Sequence, residues 1–342
     1  MPDGLAVPAP VNKPERVLMP VHAFIFPGQG SQFAGMGRDL AAAFAPAREV
    51  FQEVDEALGE KLSKLMFSGP IEELTLTQNT QPALMAVSLA VLRVLEQEGG
   101  LRLADRATLV AGHSLGEYSA LAAAGSFGIA QAARLLRLRG TAMQKAVPAG
   151  EGGMAALLGV ELEQAHEICA AAALAPVGEG EAQRREVIQV ANDNGGGQVL
   201  ISGAAGAVAR AIEIAKARGV KRAMPLPVSA PFHCSLMRPA AEAMGEALDA
   251  ATIEVPLVPL IANVTAAKVT APDRIRSLLV EQVTGTVRWR ESVQAMCAIG
   301  VDSFVELGAG KVLSGLVRRI APDAATRSAG TPDEIEALLK AL

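Results

Sequence analysis

The sequence predicts an α/β protein in two parts, a large domain built on a parallel sheet and a small α+β domain inserted into it. Three observations carry that prediction. Apolar runs of strand length alternate with longer helix-compatible segments, which is the order of a parallel sheet with helical crossovers. Gly112-His113-Ser114-Leu115-Gly116 stands between such a strand and a helix. Residues 150–225 then read strand, helix, strand, strand, helix, strand, the βαββαβ order of a ferredoxin-like sandwich.

Composition narrows the class. The 342 residues are long for a single core and suggest about two domains or one domain with an insertion. Half of the residues are hydrophobic and 20% charged, as in ordinary α/β enzymes, and no apolar run reaches the roughly 20 residues that span a bilayer. A net charge of -5 with 3% aromatic residues offers neither a basic footprint nor stacking platforms, so nucleic acid is not an expected partner. Cys169, Cys234 and Cys297 are odd in number and free of CxxC or ligand spacing, which points to a reducing, cytoplasmic compartment and no structural zinc. Residues 1–20 carry Pro2, Pro8, Pro10 and Pro14 and lack the apolar core of a signal peptide, so a disordered leader is expected there.

The large domain is expected over 21–149 and 226–325. Its first strand, 21–26, runs into the turn Pro27-Gly28-Gln29-Gly30-Ser31-Gln32, and a helix follows over 38–58. A dinucleotide fingerprint would need glycine where Phe33 stands, so that turn is not a nucleotide cradle. A helical region over 71–95 is broken near 79–82, and the apolar strand 107–111 leads into the Ser114 pentapeptide. This is the nucleophile elbow of α/β-hydrolase-like domains, in which Gly112 and Gly116 leave room for a turn that thrusts the serine out of the backbone. The helix starting under Ser114 aims its free N–H groups at any oxyanion formed there.

Within the small domain, strands are expected at 154–158, 187–191, 198–202 and 222–226 and helices at 162–174 and 207–218. Gly195-Gly196-Gly197 reads as a hairpin connection, and Gly308-Ala309-Gly310-Lys311 lacks the spacing of a phosphate loop. The large domain resumes with a strand at 303–306, and 326–342 is expected as a C-terminal helix.

A serine hydroxyl needs a base. Among four histidines, His22 begins a strand, His113 neighbours Ser114 with a diverging side chain, and His166 lies mid-helix on a polar face. His233, in a loop after the strand that closes the small domain, remains as the base. The interval from Ser114 to His233 holds one aspartate, Asp193, so the third member of a triad is missing or replaced, and a backbone carbonyl could orient the imidazole. Arg139 adds a second clue. Winding 131–146 at 100° per residue places it amid Ala132, Leu135, Leu136 and Met143, where a buried cation needs an anion. Either a buried Asp or Glu meets it, or it clamps a substrate carboxylate beside Ser114.

The chain resembles the malonyl-CoA:acyl-carrier-protein transacylases and the acyltransferase domains of polyketide synthases. The resemblance runs from about residue 24 to 320 through Phe26 to Gln32, Thr80-Gln81-Pro82-Ala83, the elbow through Ala120, Arg139-Gly140, Pro227-Val228-Ser229 with His233, and Val305-Glu306-Leu307-Gly308. It implies Ser114 as nucleophile, His233 as base and the carbonyl of Gln282 as the group that orients the imidazole. It further implies an oxyanion hole from the N–H groups of Gln29 and Leu115, with Arg139 on the malonyl carboxylate. Phe232, His113 and Asn192 would contact substrate, and Lys221, Arg222, Arg318 and Arg319 would dock an acidic carrier protein, unless they are simple solvated charge.

The reaction so implied passes malonyl from malonyl-CoA through Ser114 to acyl carrier protein by a monomer, without cofactor or metal. Two departures stand out: Phe232 precedes His233 where stand-alone enzymes often carry serine, and the loop 192–198 lacks the proline expected before Gln198. A phenylalanine narrows the space for an α-methyl branch, favouring malonyl over methylmalonyl. The competing readings are a serine hydrolase or thioesterase using the same elbow, and a catalytically idle docking module.

Overall fold

The computed structural model describes residues 21–175, 184–228 and 230–341. The leader expected over 1–20 lies outside them. In chain order the strands are β1 (His22–Phe26), β2 (Ala107–Gly112), β3 (Gly152–Leu158), β4 (Ile188–Asp193), β5 (Gln198–Ala204), β6 (Arg222–Pro225), β7 (Leu260–Ala262), β8 (Ala267–Val269), β9 (Ser303–Leu307) and β10 (Ala325–Ala329).

Six of them form one sheet in the order β10-β9-β1-β2-β7-β8, parallel except for the β7–β8 pair at one edge. Every residue of β1 is buried because both faces of the sheet are covered. Phe24 and Phe26 enter the core beneath the helices Ala45–Leu58 and Thr77–Gln97, while Ala23 and Ile25 pack on the other face with Trp289, Phe304 and Leu316. Parallel strands share a carboxyl edge, so the residues following β1, β2 and β7 gather on one side of the sheet. Those residues include Gln29, Ser114 and Asn263.

The other four strands form an antiparallel sheet in the order β4-β5-β3-β6, which is the ferredoxin-like arrangement. The helices Leu162–Ala172 and Ala205–Ala217 cover one face through a core of their own that includes Leu157, Ile168, Val190, Ile201 and Ile212. The α/β class and both sheet types are those the sequence predicts.

Three segments differ from expectation. The single helix expected over 38–58 is two, Arg38–Ala43 and Ala45–Leu58, broken at an extended Phe44. A continuous helix would drive the ring of Pro46 into the carbonyl of Ala42, and the carbonyl of Ala41 is instead taken by Arg48 Nη1 at 2.7 Å. The break expected near 79–82 falls at Leu76, and the helix Thr77–Gln97 carries Pro82 inside it. Asn79 Nδ2 and Thr80 Oγ1 reach back to the carbonyls of Glu73 and Leu74, at 2.8 and 2.6 Å, and so cap the end of the preceding short helix. Finally, the start of the expected C-terminal helix is β10, an edge strand in register with β9, and the helix is Pro332–Ala341. Its segment Ala325-Thr326-Arg327-Ser328-Ala329 completes the sheet because main-chain pairing beside buried β9 outweighs a weak local preference.

Candidate active site

The elbow is a steric necessity of three glycines. A Cβ on Gly112 would fall 1.9 Å from the carbonyl of Gly116, and one on Gly116 would fall 2.2 Å from the carbonyl oxygen of Phe26. Gly28, in the turn after β1, approaches the carbonyl oxygen of His113 so closely that a Cβ would lie 2.5 Å away. Ser114 therefore sits wedged between two strand ends with φ of 54°, a left-handed conformation that costs a side-chain-bearing residue about 1–3 kcal/mol.

Asn263, at the end of β7, offsets that cost. Its Oδ1 accepts from Ser114 N–H at 2.8 Å and its Nδ2 donates to the carbonyl of Gly112 at 2.7 Å. Both sides of the strained residue are thereby held by one buried side chain.

His233 reaches the serine from the loop that returns from β6. Its Nε2 is 2.8 Å from Ser114 Oγ, and its Nδ1 faces the carbonyl of Gln282 at 2.9 Å and that of Gly285 at 3.2 Å. A carbonyl only accepts, so the proton resides on Nδ1 and the Nε2 lone pair faces the hydroxyl. Burial, reinforced by the Arg139 charge, lowers the His233 pKa to about 3, which keeps the ring neutral and able to accept a proton.

Arg139 is 1% exposed on the helix Ile129–Lys145. Its Nη1 donates to Gln81 Oε1 at 2.8 Å, and its Nη2 donates to Ser114 Oγ at 3.1 Å and to Gln282 Oε1 at 2.8 Å. The guanidinium also lies 5.8 Å from the centre of the Tyr118 ring. Among the described residues its hydrogen-bond partners are all neutral side chains, so the buried ion pair weighed from sequence is not what meets it. The approach to Gln81 depends on Gly140, where a Cβ would lie 2.6 Å from the Cα of Gln78.

Ser114, His233, Arg139 and Gln81 border a cavity of about 400 Å³ between the two sheets. Gln29, His113, Leu115, Asn192, Phe232 and Arg319 also line it. Among the described residues, no partner takes the backbone N–H of Gln29 or Leu115. His113 Nε2 bonds Asn194 Oδ1 at 2.9 Å, and burial lowers the pKa of its ring. Gln282 stands behind the cavity wall and meets the site through its carbonyl and amide.

Lys221 and Arg222 are exposed at β6, Arg222 facing Leu158, which in turn faces Gln198. Arg319 Nη2 donates to that Gln198 at 3.0 Å, whereas Arg318 turns to Thr326 at 2.9 Å and away from the others.

Three participants were not singled out from sequence: Gln81, Asn263 and Glu117. Glu117 is 1% exposed, accepts from Gln282 Nε2 at 2.6 Å, and has its pKa raised by burial to about 7. The available signal was the one charged residue in the helix Gly116–Ala123 and, for Asn263, a polar residue closing an apolar strand.

The chain is similar to known proteins over most of its length. The acyl transferase domain family matches residues 23–329. The malonyl CoA-acyl carrier protein transacylase of Bacillus subtilis is 46% identical over 94% of this chain and 96% of its own length. The crystal structure of acyl-carrier-protein-S-malonyltransferase from Bartonella henselae superposes with a TM-score of 0.88 at 55% identity, over 94% of this chain and 99% of that one. A malonyl-transacylase in complex with its type II PKS acyl-carrier protein superposes with a TM-score of 0.87 at 40% identity, over 94% of this chain and all of that one.

Proposed function

This chain belongs to the acyl transferase domain family, and we propose that it carries malonyl from malonyl-CoA to the phosphopantetheine thiol of acyl carrier protein through an ester on Ser114. Ser114 Oγ attacks the thioester carbonyl while His233 Nε2 takes the hydroxyl proton, and the carbonyl of Gln282 steadies the imidazolium through Nδ1. The N–H groups of Gln29 and Leu115 receive the charge on the tetrahedral oxygen. Collapse of that intermediate breaks the C–S bond, and His233 returns the proton to the departing CoA thiolate. The carrier thiol then gives its proton to His233 and attacks the Ser114 ester, and the same steps in reverse order release malonyl-carrier and the free serine.

The observation that carries the acyl choice is Arg139, a buried cation whose hydrogen-bond partners among the described residues are neutral, 3.1 Å from the nucleophilic oxygen. A substrate carboxylate completes its coordination. Phe232 narrows the same cavity and favours the unbranched acyl group. Arg319, which lines the cavity, suits an acidic carrier, as do the exposed Arg222, two strands across from cavity-lining Gln198, and Lys221 next to it in the chain, while Arg318 is turned to Thr326. The working unit in this reading joins 21–149 and 226–325 with 150–225. Three free cysteines suit a reducing, cytoplasmic location, and no helix of the described residues is long and apolar enough to cross a membrane.

The test offers malonyl-, methylmalonyl- and acetyl-CoA with purified acyl carrier protein and measures carrier loading and free-acid release separately. Carrier loading dominated by malonyl, with a malonyl mass on the Ser114 peptide, is the expected result. Release of free acid without carrier loading would make the protein a hydrolase, and no mass on Ser114 would make it an idle docking module.

A further inference from the structure

Among the described residues Arg139 has no direct carboxylate partner, and its link to negative charge runs through one side chain. Gln282 Oε1 accepts from Arg139 Nη2 at 2.8 Å, while Gln282 Nε2 donates to Glu117 Oε2 at 2.6 Å and to the carbonyl of Ser114 at 2.9 Å. Glu117 is buried beneath the elbow, and besides Gln282 its carboxyl meets the backbone N–H of Asn263 at 3.4 Å.

A primary amide presents an acceptor on one side and two donors on the other, so what meets one side dictates the other. The Ser114 carbonyl can only accept, and Glu117 Oε2 accepts whether or not the other carboxyl oxygen carries a proton, which turns the NH2 group toward the elbow and leaves Oε1 for Arg139. The reversed amide would set donor against guanidinium and acceptor against carboxylate, two repulsive pairs in a site closed to water. A long arginine side chain with three carbon–carbon rotors needs such a fixed acceptor to hold one geometry.

We propose that Glu117 is a positioning residue of the acyl clamp: by fixing the Gln282 amide it holds the Arg139 guanidinium at the distance from Ser114 where a substrate carboxylate is gripped. This rests on the transfer reading above and adds to it the origin of the clamp's geometry. Glu117 touches no substrate. It acts through Gln282, and its loss is therefore felt most by acyl groups that carry a carboxylate.

The experiment measures Ser114 acylation by malonyl-CoA and by acetyl-CoA, using rapid quench and intact mass on the full chain. Glu117→Leu is expected to lower the malonyl-to-acetyl ratio of rate constants by about 30-fold, and Glu117→Gln, which keeps an acceptor oxygen, by less than about fivefold. Introduced into Arg139→Ala, Glu117→Leu is expected to change the ratio by less than about twofold, because the group it positions is gone. An equal fall on both acyl groups, or the same fall without Arg139, would make Glu117 a packing residue and overturn the assignment. Glu117→Ala is read by the same criteria where Glu117→Leu does not fold. A wild type that takes no malonyl on Ser114 overturns the transfer reading and this assignment with it; a malonylated wild type with an unmoved ratio in the variants overturns this assignment alone.

Discussion

Arg139 Nη2 lies 3.1 Å from Ser114 Oγ, the atom that His233 Nε2 reaches from the other side at 2.8 Å. The hydroxyl accepts from a cation and donates to a neutral base, so one oxygen stands between the clamp and the proton acceptor. In the proposed reaction, attack and acyl choice would thus be set within a single hydrogen-bonded row.

Replacing Arg139 by alanine removes the clamp but leaves the dyad. Malonyl-CoA should lose roughly 100-fold in kcat/KM, the order expected for a charge-assisted contact of about 3 kcal/mol, while uncharged acyl thioesters gain relative to it. Steady-state kinetics on malonyl- and acetyl-CoA checks this, and an unchanged acyl preference would remove Arg139 from the clamp.

His233 should titrate far below an ordinary histidine. Its folded pKa of about 3 is lower than the 6.5 of the unfolded chain, so between those values the unfolded state binds more protons. The stability tied to the neutral ring is therefore present above pH 6.5 and lost as pH falls toward 3. Burial and the facing charges of Arg139 and His113 set the shift. The His233 ring signals, assigned by comparison with His233→Ala, should stay unchanged in NMR spectra from pH 8 to about 5. In Arg139→Ala the titration should move upward, because a repelling cation is gone.

Asn263→Ala should loosen the strained serine. One buried N–H and one buried carbonyl lose their partners, a cost of about 1–3 kcal/mol each. Denaturant unfolding should register that loss, and the acylation burst should slow by roughly tenfold or more with KM little altered, since the side chain does not border the substrate.

Glycine substitutions should separate by space alone. Gly116→Ala would press a methyl group to 2.2 Å from the Phe26 carbonyl and should destabilise by about 3 kcal/mol or more, with loss of acylation. Gly315→Ala, in the helix Val312–Ile320 with open space around its Cβ position, should stabilise by about 0.5–1 kcal/mol. Urea midpoints of the two variants decide the matter.

Local sequence determined most of the elements and pointed to the residues proposed to react. The apolar runs of β1 and β2, the paired glycines around Ser114, the βαββαβ order of the small sheet and an arginine on an apolar helix face are short-range patterns, legible because each follows from sterics or periodicity within a few residues. Elimination could find His233 because only four histidines exist. The helix break at Phe44 was missed although Pro46 announced it, and β10 was missed because an edge strand of mixed residues has little signal of its own.

Tertiary structure decided what surrounds the reacting atoms. Asn263 lies 149 positions from Ser114 along the chain, and Gln282 lies 165 from Glu117. Such pairs leave no local period. The first contact arises because parallel strands bring their carboxyl ends to one edge, the second because the helix Pro272–Thr284 packs there, and because water is excluded each buried polar group must find its partner across the fold. The sequence therefore pointed to the serine, the histidine and the arginine that the fold brings together, while the folded chain alone fixed the amide that joins cation to carboxylate and the asparagine that holds the strained serine.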